Sequence, residues 1–523
     1  MKKYKLLVYI TVLLTGVFTF SACDSVDFGD VNEDDDAPKD ANTQALLAGA
    51  MNAFFTLQDA TPTLYVQYQG QSVYTSQQRY SSAPQNWQPY YVGILSNLKK
   101  VKEINSADEI SDATLTYGAP VNQIGVSELM SVMIWKRVTN SWGPVPYNNA
   151  LKKGENLTPA YTDQKTIYED LIKRAKNARD MLDPSKLGPT GDVVYGGDVT
   201  MWKKFANSLI MQLSLQLSGT SMSSTAQQEF QAALNNSAGV IDELNEEFWY
   251  QHKNQPGMEN PFSQYRGADY YLAEPFTAAL KGETPQDSAI VHSNTNYDAR
   301  LNVLANDPSL SGVPYGTANG GVEGADMSGS TSDPGAPLAY MTAAYTYLNR
   351  AEAAQRGWTN EVAEDMLREG IMMSYATFDA HYDPGNPNPG VDFGNGRLQS
   401  DGSQFANQRL AQATNPSNDI SLMQVIFEEK WVAVYPNGFK AWSEWRRSDN
   451  VASRSMQNSQ GVTIKGYPGL FPAPDATNNG EIPRRYIYPD IESGVNSENY
   501  EAALKKLHPQ EDNNTSRFWW DAQ

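Results

Sequence analysis

"MTAAYTYLNRAEAAQRGWTNEVAEDMLREGI", residues 341–371, reads as two helices joined by a tight turn. Met341, Tyr345 and Leu348 fall on one helical face, which runs on into "AEAAQRGW". Ala363, Leu367 and Ile371 mark the face of the second helix, paired with the first across Gly357 to Asn360. Alanines occupy the contact positions, and small side chains let two helices approach closely. This pair sets the expectation for the rest of the chain.

The spacing is that of a tetratricopeptide-type helix pair, although no clean repeat of roughly 34 residues runs through the sequence. Working outward, the same periodicity returns. Leu47, Met51, Phe54 and Phe55 share one face of a helix around residues 43–58. Ile167, Leu171, Ala175, Ala178 and Leu182 form a second stripe, with Thr162 or Asp163 placed to cap its start. Trp202, Phe205, Leu209, Leu213 and Leu217 form a third. A further helix runs through "LMQVIFEEKWVAVY" and ends before Pro436-Asn437-Gly438. The expected fold class is therefore mainly α, a tetratricopeptide-like helical-repeat scaffold. Long segments rich in Gly, Pro, Asn, Ser and Tyr interrupt it near 251–337, 379–419 and 446–497. Loops of such length in a compact protein are usually functional, so the helices are expected to carry a loop-built ligand face.

The chain opens "MKKYKLLVYITVLLTGVFTFSAC". Lys2, Lys3 and Lys5 precede an apolar run from Leu6 to Phe20, then small Ser21 and Ala22, which is the layout of a secretory signal over residues 1–22. The run is shorter than the roughly 18 to 20 residues a membrane-spanning helix needs. "FSAC" resembles the lipobox of bacterial lipoproteins, with Phe20 in place of the usual aliphatic residue. Cys23, the sole cysteine of the chain, is then the expected lipidation site. Two or three acyl chains, palmitate among them, would anchor the protein without spanning the membrane. Residues 23–42, including "NEDDDAPKDAN", read as a flexible acidic tether, and residues 43–523 as one helical domain.

The formal net charge is −20, and removal of residues 1–22 takes it to −23. Such acidity argues against nucleic-acid binding, which needs a basic footprint. Catalysis finds little support. His252, His292, His381 and His508 form no H-E-x-x-H pattern, and no G-x-S-x-G turn or Gly-rich phosphate loop is present. No enzyme activity, metal or other cofactor is expected. "DPGNPNPGVDFGNG" at 383–396 offers the hard oxygen ligands Asp383, Asn386, Asn388 and Asp392 but lacks EF-hand spacing, and reads as a turn-rich loop.

Several stretches together resemble a known family: "NSWGPVPYNNAL" at 140–151, "YGGDVTMWKKFANSL" at 195–209, "AEAAQRGW" at 351–358, "EEKWVAVYPNGFKAWSEWRRS" at 428–448 and "IPRRYIYPDIESGVNSENYEAA" at 482–503. With "RFWWD" at 517–521 they are similar, in order and over nearly the whole chain, to SusD/RagB-type outer-membrane lipoproteins. The resemblance implies about four helical-repeat pairs beneath a loop-rich ligand face. It also implies a lipoprotein at the outer face of the outer membrane, and a SusC-like TonB-dependent β-barrel transporter as partner. The cargo it implies is an oligosaccharide; the alternatives are peptides, which some relatives take, or another nutrient, or a structural scaffold of an outer-membrane complex.

Aromatic residues make up 11% of the chain, and their placement bears on that cargo. "YVQYQGQSVYTSQQRYSSAPQNWQPYY" at 65–91 interleaves Tyr and Trp with amides and one arginine. Ring faces cover the C–H faces of sugars, and amides pair with hydroxyls. Tyr65, Tyr68, Tyr90 and Tyr91 are expected to pack the first helices. The candidate ligand residues are Tyr74, Arg79, Tyr80, Asn86 and Trp87 from this stretch, with Tyr265, Arg266 and Tyr315 from the middle loops. Arg446 and Arg447 of "WSEWRRS" are expected to brace a structural corner through cation–π contacts.

Overall fold

The computed structural model describes residues 42–521 apart from 58, 82, 153–155, 284–291, 319–320, 383–398, 418–419, 450–455, 458–462, 465, 471 and 479. Cys23, the acidic tether and the candidate calcium ligands Asp383, Asn386, Asn388 and Asp392 lie outside the described residues.

Helices build the scaffold, and side-chain caps mark the starts of several of them. α1 (Thr43–Phe55) packs on α2 (Ser96–Asn105), which packs on α3 (Pro120–Trp142). α4 (Gln164–Met181) lies against α3 and begins where Asp163, not Thr162, accepts from Thr166 N at 2.9 Å. α5 (Val199–Gln216) is capped by Asp198 and packs on α6 (Ser223–Leu234). α7 (Ala343–Gln355) starts at a Thr342 cap and packs against α8 (Ala363–Tyr382). α9 (Gln399–Thr414) lies on α8, and α10 (Leu422–Ala433) with α11 (Gly438–Ser448) closes the series. The result is a tetratricopeptide-like stack of helix pairs.

The α7–α8 pair behaves as its sequence predicts. Gly357 takes φ +71°, the left-handed conformation that ends a helix cheaply. A β-carbon on Gly370 of α8 would sit 2.8 Å from Leu348 Cδ2 of α7, so the hydrogen at that position permits the close approach. The segment expected as loop at 379–419 is corrected in part: residues 379–382 finish α8, and 399–414 form α9. Phe405, Ala406, Arg409 and Leu410 of α9 are buried at helical spacing, a stripe masked in the sequence by the surrounding Gln, Asn and Ser.

Short antiparallel ladders stitch the insertions to this frame. β1 (Gln69–Gln71), β2 (Phe248–Gln251), β3 (Tyr270–Leu272) and β4 (Pro337–Met341) pair as β1 with β3 and β2 with β4. The β1–β3 register sets Gln71 opposite Tyr270 and Gly70 opposite Tyr271.

Buried ion networks cross-link the helices. Arg447 of α11 donates a bidentate pair to Glu352 of α7, both bonds 2.6 Å, and Lys430 of α10 also pairs with Glu352. Glu444 completes that cluster, 3.3 Å from Lys430. Arg300 bridges Asp298 at 2.6 Å and Glu429 at 2.7 Å, and Arg409 bridges Glu428 and Glu429 at 2.7 Å each. Arg446 lies 3.8 Å over the Trp442 ring. "WSEWRRS" is thus a buried corner. Residues Thr43–Gln523 cluster as one unit, and among the described residues no helix is long and apolar enough to cross a membrane.

Candidate functional site

The β1–β3 ladder brings two insertions together. After β1 the chain turns back over β3 because Asp269 holds it there. The buried Asp269 carboxylate accepts from Val73 N at 2.6 Å and Tyr74 N at 2.8 Å, and its carbonyl accepts from Ser72 N at 2.7 Å. An amide web then fixes the loop. Gln71 N donates to Gln78 Oε1 at 2.8 Å, and Gln78 Nε2 returns to the Gln71 carbonyl at 2.9 Å. Tyr270 OH donates to Gln77 Oε1 at 2.8 Å and accepts from Gln71 Nε2 at 3.1 Å.

Tyr265 and Tyr270 stand next to each other at the meeting point, ring centroids 5.1 Å apart and 33° between planes. Both border a cavity of about 360 Å³ whose walls include Asp59, Gln77, Gln85, Asn86 and Tyr486. Both also border a second cavity of about 370 Å³ walled by Gln69, Phe262, Asn306, Asp326 and Asp333. The tyrosine pair is the shared wall. Asp59 accepts from Tyr486 OH at 2.6 Å and from Thr61 N at 3.0 Å. Burial raises its carboxyl above the ordinary range, against the Tyr486 hydroxyl, which lowers it.

Chemically this is an aromatic surface between polar recesses. The ring faces offer flat apolar area, while the amides offer both donors and acceptors. Such a set suits an uncharged ligand that alternates C–H faces with hydroxyls.

The eight sequence candidates divide. Tyr265 and Asn86 line the site, and Asn86 Oδ1 accepts from Gln88 N at 2.8 Å. Tyr74 is 59% exposed, with the Arg266 guanidinium 4.6 Å from its ring centroid, one residue along the chain from Tyr265. Neither is in the walls of the two cavities. Arg79 is half-buried, and its carbonyl accepts from Thr477 N and Oγ1.

Trp87, Tyr80 and Tyr315 are placed differently from expectation. Trp87 is only 7% exposed, its ring packed among Tyr91, Trp142, Tyr161 and Tyr488 at 5.6–5.9 Å. Tyr80 is fully buried at φ +67°, its hydroxyl accepting from Ala473 N at 2.9 Å. Tyr315 is buried as well. A ring enclosed by other side chains has no face left for a ligand, so these three are core residues in this structure. Tyr65, Tyr68 and Tyr90 are buried, and Tyr91 is partly buried with its hydroxyl on the Pro146 carbonyl at 2.8 Å.

Sequence reasoning missed Tyr270, Gln77, Asp59 and Tyr486. Tyr270 and Tyr271 are adjacent, and strand alternation alone turns Tyr270 to the cavities while Tyr271 is buried. The signal available was the short β-prone "YYL"; its register was not legible.

Comparison with known proteins follows the same outline. A family model described as starch-binding and associating with the outer membrane, SusD-like, matches residues 35–489. A solved chitin-binding protein superposes with a TM-score of 0.71 at 20% identity, covering 92% of this chain and 100% of that one. A chitin-binding SusD homolog from Flavobacterium johnsoniae gives 0.69 at 20% identity, over 92% and 99%. A SusD homolog from Bacteroides thetaiotaomicron gives 0.62 at 20% identity, over 92% and 100%. At this identity the likeness to solved structures establishes the fold. None of the curated proteins compared with the chain matches it.

Proposed function

Since this chain belongs to the SusD-like family of starch-binding proteins associating with the outer membrane, we propose that it is a non-catalytic nutrient-binding lipoprotein of the cell surface. It captures neutral oligosaccharides and hands them to a SusC-like TonB-dependent β-barrel transporter. The observation that carries this reading is the Tyr265–Tyr270 pair shared by two cavities. One sugar unit stacks on the rings while neighbouring units reach the amides of Gln77, Gln85 and Asn86 on one side and Gln69 and Asn306 on the other. The exposed Tyr74–Arg266 pair adds a further aromatic surface. Cys23, through its thioether-linked lipid, holds this surface on the outer membrane, facing the exterior.

Non-catalytic binding is favoured over hydrolysis at the first cavity, whose walls include a single carboxylate, Asp59, already engaged by Tyr486 and Thr61. The second cavity carries Asp326 and Asp333 and is decided by a reducing-sugar assay. Glycoside hydrolysis ordinarily needs a carboxyl pair across the bond. Calorimetric titration with neutral oligosaccharides from α- and β-linked glucans and chitin, beside a peptide panel, tests the reading. Glycan binding lost in Tyr265→Ala/Tyr270→Ala supports it; binding of peptides alone sinks it. Reducing-sugar release on the same glycans would refute the non-catalytic part. Palmitate labelling that survives Cys23→Ser would refute the anchor, and failure to co-purify a β-barrel transporter from outer membranes would refute the partnership.

A further inference from the structure

Deeper in the helical scaffold lies a third cavity, of about 60 Å³, bounded by α3, α5, α11 and β4. Its walls carry four cationic side chains, Lys136, Arg137, Lys440 and Arg446, and no carboxylate. Buried charges in proteins are normally paired. Here Lys136 and Arg446 are buried and Arg137 and Lys440 half-buried, and among the described residues none of the four forms an ion pair.

The Lys136 ammonium and the Arg137 Nε lack hydrogen-bond partners among the described residues, whereas Lys440 and Arg446 are held by backbone carbonyls. Lys136 is buried, and its ammonium donates no hydrogen bond to the described residues. Arg137 has a buried Nε without a partner, and its guanidinium lies 3.6 Å over the Phe439 ring and 5.1 Å over that of Phe54. Lys440 reaches the Tyr340 carbonyl and lies 4.2 Å over the Tyr345 ring. Arg446 binds the carbonyls of Asn140 at 2.7 Å and Arg484 at 2.6 Å.

The neighbouring acids are committed elsewhere. Glu444 pairs with Lys430 and Arg447, Asp521 with Arg484 at 3.1 Å, and Asp59 with Tyr486 in the first cavity. Burial lowers the Lys136 ammonium to about 8 and pulls Lys440 well down, with Lys136 the next cause for Lys440. Glu444 opposes that fall at both lysines, and the protein thus gathers four cations around a small space whose walls are mostly apolar. Counting roughly 10–15 Å³ per water-sized occupant, the space takes about four to six such units, close to one tetrahedral oxyanion.

We propose that this cavity binds a free inorganic oxyanion of the phosphate or sulfate type, held by Lys136, Arg137 and Lys440. Asn140, Asn437 and Ser443 on the same walls supply neutral hydrogen-bonding groups around it. Charge-assisted hydrogen bonds to such an ion would satisfy the Arg137 Nε and the Lys136 ammonium together. The ion would join α3 to α11, the two helices that contribute all four cations, and so act as part of the scaffold beneath the glycan surface.

The test titrates the protein with sodium phosphate and sodium sulfate at constant ionic strength against sodium chloride, read by calorimetry and thermal unfolding. Expected are saturable binding and a Tm that climbs with the logarithm of phosphate or sulfate, but not chloride. Lys136→Met and Lys440→Met should each weaken binding by about tenfold or more, with far-UV circular dichroism unchanged. Equal Tm in phosphate, sulfate and chloride would overturn the proposal without needing any variant to fold. Undiminished binding in Lys136→Met would overturn the assigned site. Binding of glucose 6-sulfate but not of inorganic sulfate would overturn the free-ion reading in favour of an acidic sugar.

Discussion

Tyr270 OH donates to Gln77 Oε1 at 2.8 Å, and that bond ties the aromatic pair to the loop that follows β1. Through it the ring stands between two cavities with its orientation set on one edge. Tyr265 is held by ring packing, 5.5 Å from Phe262 and 5.1 Å from Tyr270, with its hydroxyl toward the Asp59 backbone.

Tyr270→Ala removes both a wall of each cavity and the support of Tyr265. Glycan affinity should fall by about tenfold or more, the scale of one lost aromatic contact plus its hydrogen bonds. Tyr270→Phe keeps the ring and should lose less. Calorimetry on the two variants checks the order.

Trp87→Ala should act on stability before affinity. Deleting a buried tryptophan costs about 3–5 kcal/mol. Chemical denaturation should show that loss, while any folded fraction keeps its glycan affinity within about threefold of the parent, a difference under about 1 kcal/mol. A folded variant that binds no glycan would return Trp87 to the ligand surface.

Glu352→Gln leaves Arg447 and Lys430 without their shared carboxylate. Breaking a buried ion pair from one side costs about 3–5 kcal/mol. The same cluster makes the fold acid-sensitive. Although burial alone would raise the Glu444 carboxyl, the Arg447 guanidinium and Lys430 ammonium hold it at about 2, against 4.5 unperturbed. Between those values the unfolded chain takes up a proton that the folded chain refuses, so stability falls as pH drops from about 4.5 toward 2. Urea midpoints across that range check it.

His252 adds a milder window. Burial lowers its imidazole to about 4 from 6.5. In the unfolded chain it protonates near 6.5, so folding stability is lost as pH falls from about 6.5 toward 4. The loss is at most about 3 kcal/mol at 1.36 kcal/mol per unit. His252→Gln should flatten the stability profile over that range, and an NMR titration should keep the wild-type imidazole neutral at pH 5.

Helical periodicity in the linear chain was enough to place the scaffold. Ile167, Leu171, Ala175 and Ala178, or Met341, Tyr345 and Leu348, reveal a buried face because the helix repeat is a local property of the backbone. Caps such as Asp163 and the Gly357 turn are local for the same reason. The site was not local. Asn86 and Tyr265 were recognisable as residue types suited to sugars, and they do share a cavity. Yet Trp87, next to Asn86, is enclosed by Trp142, Tyr161 and Tyr488 from distant parts of the chain, and Tyr270 gains its position from a register with Gln71. The charge of the third cavity is likewise invisible along the chain, because Lys136 and Lys440 meet only when α3 and α11 pack. Periodicity encodes which face of an element turns inward; which inward or outward residues meet across elements depends on contacts between segments hundreds of residues apart.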